Sequence, residues 1–289
     1  MNDTTIMPPE LFDTHCHLTS PELYDRRAQV LAGAQAAGVA HILTIACQPE
    51  EFETALKLAP PCQGGDGGGE SQASSAHPTL HLATGIHPHE AAKIQEQHWA
   101  ALASTWKQTN VVAAGEMGLD FHYDFSPRDV QRAVFKRQLD SACQAGLPII
   151  IHCREAQPDV VKILLECGFA NRPVVFHCFG GTPEEAAELR SHGWWTSFTG
   201  VITFRNAVPV QQACIETPPD RLMFETDAPY LAPEPVRRML AAMAAEIYGA
   251  RAGHGVAPRV ERPVRAPRRA NSRAIAGVQQ LSVGASGTA

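Results

Sequence analysis

Apolar residues fall in short runs along this chain, and eight of the runs have the length of buried strands. They are Leu11–His15, Val39–Ala46, Leu80–Ile86, Val111–Glu116, Pro148–His152, Pro173–His177, Trp194–Thr199 and Arg221–Thr226. Helix-like segments fall between them: Pro21–Ala37, Glu50–Leu58, Ala91–Thr105, Pro127–Ala145, Gln157–Cys167, Pro183–His192 and Asn206–Glu216, with one more starting near Pro235. Gly38 and Gly146 follow two of these segments as helix stops. Strand and helix alternating eight times predict an α/β fold of parallel strands with right-handed crossovers. A TIM-type (β/α)8 barrel and a doubly wound open sheet both satisfy that alternation.

Two segments break the rhythm. Residues 63–76, QGGDGGGESQASSA, read as a Gly/Ser-rich surface loop. Residues 251–289 are rich in Arg, Ala, Pro and Gly without periodicity and read as a disordered tail. The expected organisation is one barrel over 1–250, near the ~250 residues such a barrel takes, followed by that tail. From Pro235 onward nine arginines stand against two glutamates, a local +7 that leaves −13 on the rest of a chain of net charge −6. A body this acidic repels a polyanion unless bound cations or local arginines offset it. The eight cysteines form no Cys-x-x-Cys pair, and five lie in or beside apolar segments. Reduced thiols and a cytoplasmic location are expected. The start of the chain lacks the basic and apolar regions of a signal peptide, and no stretch is apolar enough to span a bilayer.

Five of the eight runs stop on, or just before, a side chain that can bind a metal. His15 and His17 are two apart at a strand end, so both imidazoles share a face and Cys16 takes the other. Glu116 follows VVAAG, and its two oxygens can each take one cation. His152 and His177 form a matched pair of apolar run, His, Cys, with Cys153 and Cys178 expected toward the helical layer. Asp227 ends the eighth run in ETDAPY, where Glu225 shares its face but lies deeper. Each has a structural alternative: a polar strand end for the histidines, an arginine-paired glutamate, a turn aspartate. The barrel is favoured over the open sheet because only a closed ring brings the ends of strands one, four, five, six and eight around one centre.

At these residues the chain resembles the TatD family of metal-dependent deoxyribonucleases, within the amidohydrolase-like barrels. The matching stretches are FDTHCHL (12–18), ATGIHPHEA (83–91), AAGEMGLDFHYD (113–124), LPIIIHCREA (147–156), VVFHCFGGT (174–182), TSFTGVITFRNA (196–207) and RLMFETDAPYLAP (221–233). The resemblance covers about residues 10–233 and implies a barrel with two divalent metal ions, of Mg, Mn or Zn type. It assigns one ion to His15, His17 and Asp227, the other to His152 and His177, with Glu116 bridging. It also implies hydrolysis of DNA phosphodiester bonds, at single-stranded DNA or 3′ ends, as a 3′-5′ exonuclease. Two cations can clamp the attacking and leaving oxygens of such a bond. Asp227 is the candidate to orient the water and take its proton, with Glu116 as the other catalytic group. His87 is expected to end the third strand and touch substrate. Arg154 and Arg205 are candidate phosphate contacts, with plain surface arginines as the alternative. After Pro233 the chain departs from the family: a substrate-side loop is missing, and 232–249 reads as an outer helix joined directly. A related barrel hydrolase of a small amide, lactone or phosphotriester remains an alternative, although the fourth run lacks the lysine that bridges metals in many of those enzymes. A metal-binding but inactive homologue is the other.

Overall fold

Each strand-like run pairs with its neighbour in the sequence. The eight strands are parallel and stand in the order β1 to β8. The computed structural model describes residues 10–59 and 77–236. The strands are β1 (Leu11–Cys16), β2 (Val39–Ala46), β3 (Thr79–Thr84), β4 (Val111–Asp120), β5 (Ile149–Arg154), β6 (Val174–Phe176), β7 (Trp195–Phe198) and β8 (Leu222–Phe224). The helices are α1 (Pro21–Tyr24), α2 (Arg27–Ala36), α3 (Phe52–Leu58), α4 (Glu96–Thr105), α5 (Arg128–Ala145), α6 (Gln157–Glu166), α7 (Pro183–Ser191) and α8 (Val208–Glu216). A doubly wound sheet reverses its strand order at a switch point. This sheet does not reverse; it curls until β1 meets β8. At the seam Thr14 Oγ1 donates to the Phe224 carbonyl (3.0 Å), and Thr226 donates to Asp13 through its N–H (2.9 Å) and hydroxyl (2.7 Å). The Asp227 N–H donates to the His15 carbonyl (2.9 Å), and the His17 N–H to that of Ala228 (2.8 Å). The result is a nearly closed TIM barrel.

Local chemistry explains where the elements differ from the sequence reading. The expected helix Pro21–Ala37 splits at Asp25 and Arg26 into α1 and α2. The expected helix Ala91–Thr105 starts only at Glu96, where Gln95 and His98 form a reciprocal cap, and residues 88–93 make a 3-10 turn instead. β3 stops at Thr84, so His87 lies three residues beyond the strand rather than at its end, just before Pro88, which has no N–H for a ladder. The helix expected from Pro235, the loop 63–76 and the tail 251–289 lie outside the described residues.

Besides a patch of Cys16, Leu18 and Ile42 packed against α1 and α2, the core has two parts. The larger lies between sheet and helices, around Phe135, Leu139, Val160, Leu164, Phe176, Leu189 and Trp194. The smaller fills the bore with Leu43, Ile45, Cys47, Ala83, Ala113 and Ile150. Strand alternation places Ile150 and His152 on the same inner face, so the bore packing and the candidate ligands share one column.

Candidate metal centre

Glu116 reaches the bore because β4 is irregular. Ala113 faces inward, so plain alternation would send residue 116 outward to the helices. The register slips between Ala114 and Met117, at Gly115 with φ 143°, and resets the count. A side chain at Gly115 would meet the Ile150 carbonyl at 2.6 Å, and one at Gly118 (φ 148°) would collide with the His152 carbonyl. Glycine at both positions lets β4 press against β5 and bring Glu116 to His152. After the slip Met117 and Leu119 pack outward, while Glu116 and Asp120 face in.

The barrel brings all six predicted ligands together. Glu116 Oε1 lies 2.6 Å from His177 Nε2 and 2.7 Å from His152 Nδ1, while its Oε2 lies 3.5 Å from His15 Nε2. Asp227 Oδ1 lies 3.3 Å from His17 Nε2 and 3.7 Å from His15 Nε2. The donor atoms of His15, His17 and Asp227 fall within 4.8 Å of one another, as do those of Glu116, His152 and His177. The two triads therefore sit side by side with Glu116 facing both. Among the described residues no arginine pairs with Glu116.

Further carboxylates back the second triad. His152 turns its other nitrogen, Nε2, to Asp120 Oδ2 at 3.1 Å. His177 turns Nδ1 to Glu225 Oε1 at 3.4 Å, and Glu225 also accepts from Ser197 Oγ and the Cys178 N–H. Each imidazole thus has one nitrogen facing an outer acid and one pointing at Glu116, the arrangement in which an outer acid orients a metal-binding histidine and raises its basicity. Asp120 was readable as a third inner-face residue on β4, had the strand been extended past Glu116. His89 was also readable, because His87-x-His89 repeats the spacing of His15-x-His17; its Nε2 lies 2.9 Å from Asp120 Oδ2. Cys47 carried no such signal. Its Sγ lies 3.4 Å from Glu116 Oε2 and 4.0 Å from His17 Nδ1. Cys178 departs from the expected helix-facing position: β6 ends at Phe176, and residue 178 takes φ 44° with its sulfur 3.7 Å from Thr199 Oγ1.

Of the predicted substrate contacts, His87 is closest in: its Nε2 is 3.4 Å from Glu116 Oε1 and 3.2 Å from His152 Nδ1. α5 positions the neighbouring loops through two buried glutamines. Gln138 exchanges hydrogen bonds with both backbone groups of Ile86 (2.8 and 3.0 Å), and Gln131 accepts from the Asp120 N–H at 2.8 Å. Arg154 ends β5 and lies over the Tyr123 ring at 4.7 Å. Arg205 is exposed in the loop between β7 and α8.

The charge balance tests whether cations fit. Among the described residues no lysine or arginine forms an ion pair with Glu116, Asp120, Glu225 or Asp227; their ion-pair partners are imidazoles. Burial opposes ionisation of Glu116, but the charges of His177 and His87 and bonds to His15 and His152 outweigh it and hold its carboxyl well below the usual range. Burial likewise loses at Asp227, whose bond to His17 keeps its carboxyl low. His177 is pushed well up by Glu116 and Glu225 against its burial, and His152 up by Asp120 and Glu116. His15 goes down, through burial and through His177, stacked on it at 4.0 Å. The acids demand positive charge, and stacked imidazoles are poor places to hold two protons. A donor set of imidazoles and carboxylates without a fixed cation fits divalent metal ions.

Comparison with known proteins agrees with this chemistry. The model of the TatD-related DNase family matches residues 12–252. An uncharacterized metal-dependent hydrolase, YabD of Bacillus subtilis (strain 168), is 36% identical over 227 residues, 78% of this chain and 83% of that protein. The 3'-5' ssDNA/RNA exonuclease TatD of Enterobacter lignolyticus is 33% identical, over 77% of this chain and 80% of its own length. The crystal structure of YJJV, a TatD homologue from Escherichia coli K12, superposes with TM-score 0.68 at 28% identity, covering 78% of this chain and 82% of that one. Among the described residues no helix is long and apolar enough to cross a membrane. The chain belongs to the TatD-related DNase family and is a metal-dependent hydrolase acting on ester bonds.

Proposed function

We propose that this protein cleaves DNA phosphodiester bonds with a water activated between two divalent cations, working from the 3′ ends of single strands. One observation carries the reading: Glu116 turns one oxygen to His152 and His177 and the other to His15, beside the His17 and Asp227 pair. Ions held by these two triads would supply Lewis-acid charge to the phosphoryl oxygens and acidify the attacking water. Glu116 holds the two triads in register. Asp227, fixed by its N–H bond to His15, orients the water and takes its proton at a carboxylate oxygen. His87 binds the phosphoryl group from the β3 side, and Arg154 and Arg205 take flanking phosphates at the rim. The relatives named 3'-5' ssDNA/RNA exonuclease support the substrate and polarity. A cytoplasmic location is supported by seven free cysteines among the described residues.

The test is elemental analysis of the purified protein, followed by incubation of end-labelled single-stranded DNA with Mg, Mn or Zn. Metal-dependent shortening from the 3′ end is expected, with kcat reduced about 10³-fold or more in Glu116→Gln and in Asp227→Asn. Undiminished cleavage in both variants would overturn the reading.

A further inference from the structure

The loop after β4 carries two aromatic rings into solvent close to the centre. Phe125 is 67% exposed and Tyr123 46%. Their rings stack, with centroids 5.2 Å apart at 12°. Leaving two large rings in water forgoes burial free energy, so the arrangement calls for a ligand.

The rings are held on a braced loop. Asp120 Oδ1 accepts the N–H groups of His122 (3.0 Å) and Tyr123 (2.9 Å). Arg128 grips Asp124 with two bonds, at 2.9 and 3.0 Å, and donates a third to the Phe121 carbonyl. Ser126 Oγ donates to the His89 carbonyl (2.9 Å) and accepts the Ala92 N–H (3.0 Å), tying this loop to the one after β3.

The pair is also connected to the reacting site. His89 meets both rings edge-on, at 5.5 and 4.8 Å, and its Nε2 shares Asp120 Oδ2 with His152. One imidazole, His152, then separates Asp120 from Glu116. The Arg154 guanidinium lies over the Tyr123 ring, its central carbon 4.7 Å from the ring centre. A flat apolar surface beside a fixed cation matches the alternation of base and phosphate along a single strand.

We infer that Tyr123 and Phe125 form a stacking platform for a nucleobase next to the phosphodiester being cut, with Arg154 holding a neighbouring phosphate. The inference rests on the nucleic-acid reading above. Stacking uses the π face that every base has, so the platform grips any sequence.

The test is fluorescence anisotropy with the full, metal-loaded chain, on strands whose phosphorothioate linkages resist cleavage. A fluorescein-labelled single strand of DNA is compared with a strand of the same length built from abasic nucleotides. The wild type should prefer the base-bearing strand by about tenfold or more. Tyr123→Ala with Phe125→Ala should bind both strands as the wild type binds the abasic one, and Tyr123→Phe with Phe125→Trp should keep the preference. Equal wild-type affinity for the two strands, or a preference that survives the double alanine change, overturns the platform. Cleavage of the same base-bearing strand with ordinary phosphodiester linkages is then measured with divalent metal. A base preference without cleavage sinks the nuclease reading and leaves the platform standing; cleavage without base preference does the reverse.

Discussion

The bore of this barrel holds histidines at both ends, and the two groups behave differently. Toward the starts of the strands His41 Nδ1 and His81 Nε2 lie 3.3 Å apart and stack on Phe12. Toward the other end His15, His17, His87, His152 and His177 surround Glu116 and Asp227. No ion pair joins a carboxylate to the first group among the described residues, and burial together with its neighbour His41 pushes the His81 imidazole down. At the second group carboxylates push His17, His152 and His177 up. The same side chain packs against an aromatic ring at one end and faces carboxylates at the other. The acids placed among the imidazoles decide which.

That contrast can be broken from either side. Removing the outer acids has the largest expected effect. Asp120→Asn and Glu225→Gln should each lower metal affinity or activity about 10–100-fold, read by titration of the metal-depleted protein. Unchanged affinity in both would mean the outer acids do not tune the centre. At the opposite end, His41→Phe should leave metal content unaltered and kcat within about twofold, since it keeps a flat ring against Phe12. Lost metal in that variant would erase the distinction between the two groups. The smallest expected effect is on pH dependence. A histidine whose folded pKa is depressed contributes stability that is fully present above its unfolded pKa of ~6.5 and is lost as pH falls from there toward the folded value. His81→Leu should therefore lose less stability than the wild type between pH 7.5 and 5, measured as urea midpoints. A steeper loss in the variant would reverse the assigned direction.

The sequence made the ring legible because five of the eight strands stop on or just before chemistry that packing does not require. His15, His17, Glu116, His152, His177 and Asp227 stood out at strand ends, and the barrel brings all six to one place. What stayed hidden depends on strand length and register. β4 runs four residues past Glu116, so Asp120 went unread as a partner of His152. The slip at Gly115 cannot be counted from a pattern of alternation, and Ala113 alone would have turned Glu116 the wrong way. His41 and His81 passed unremarked because a histidine inside a strand looks the same whether or not an acid lies across the bore. Cys47 reached the centre from just past β2, a strand whose end showed no ligand.

The seam between the first and last strands has a consequence for synthesis. Thr226 and Asp227 bond to Asp13 and His15, and Asp227 completes the triad that His15 and His17 begin. A chain still on the ribosome, with its eighth strand inside the exit tunnel, holds two imidazoles and no third donor for that triad. Such a nascent chain carries only part of the donor set around Glu116. That triad is complete only when two distant segments of the chain meet.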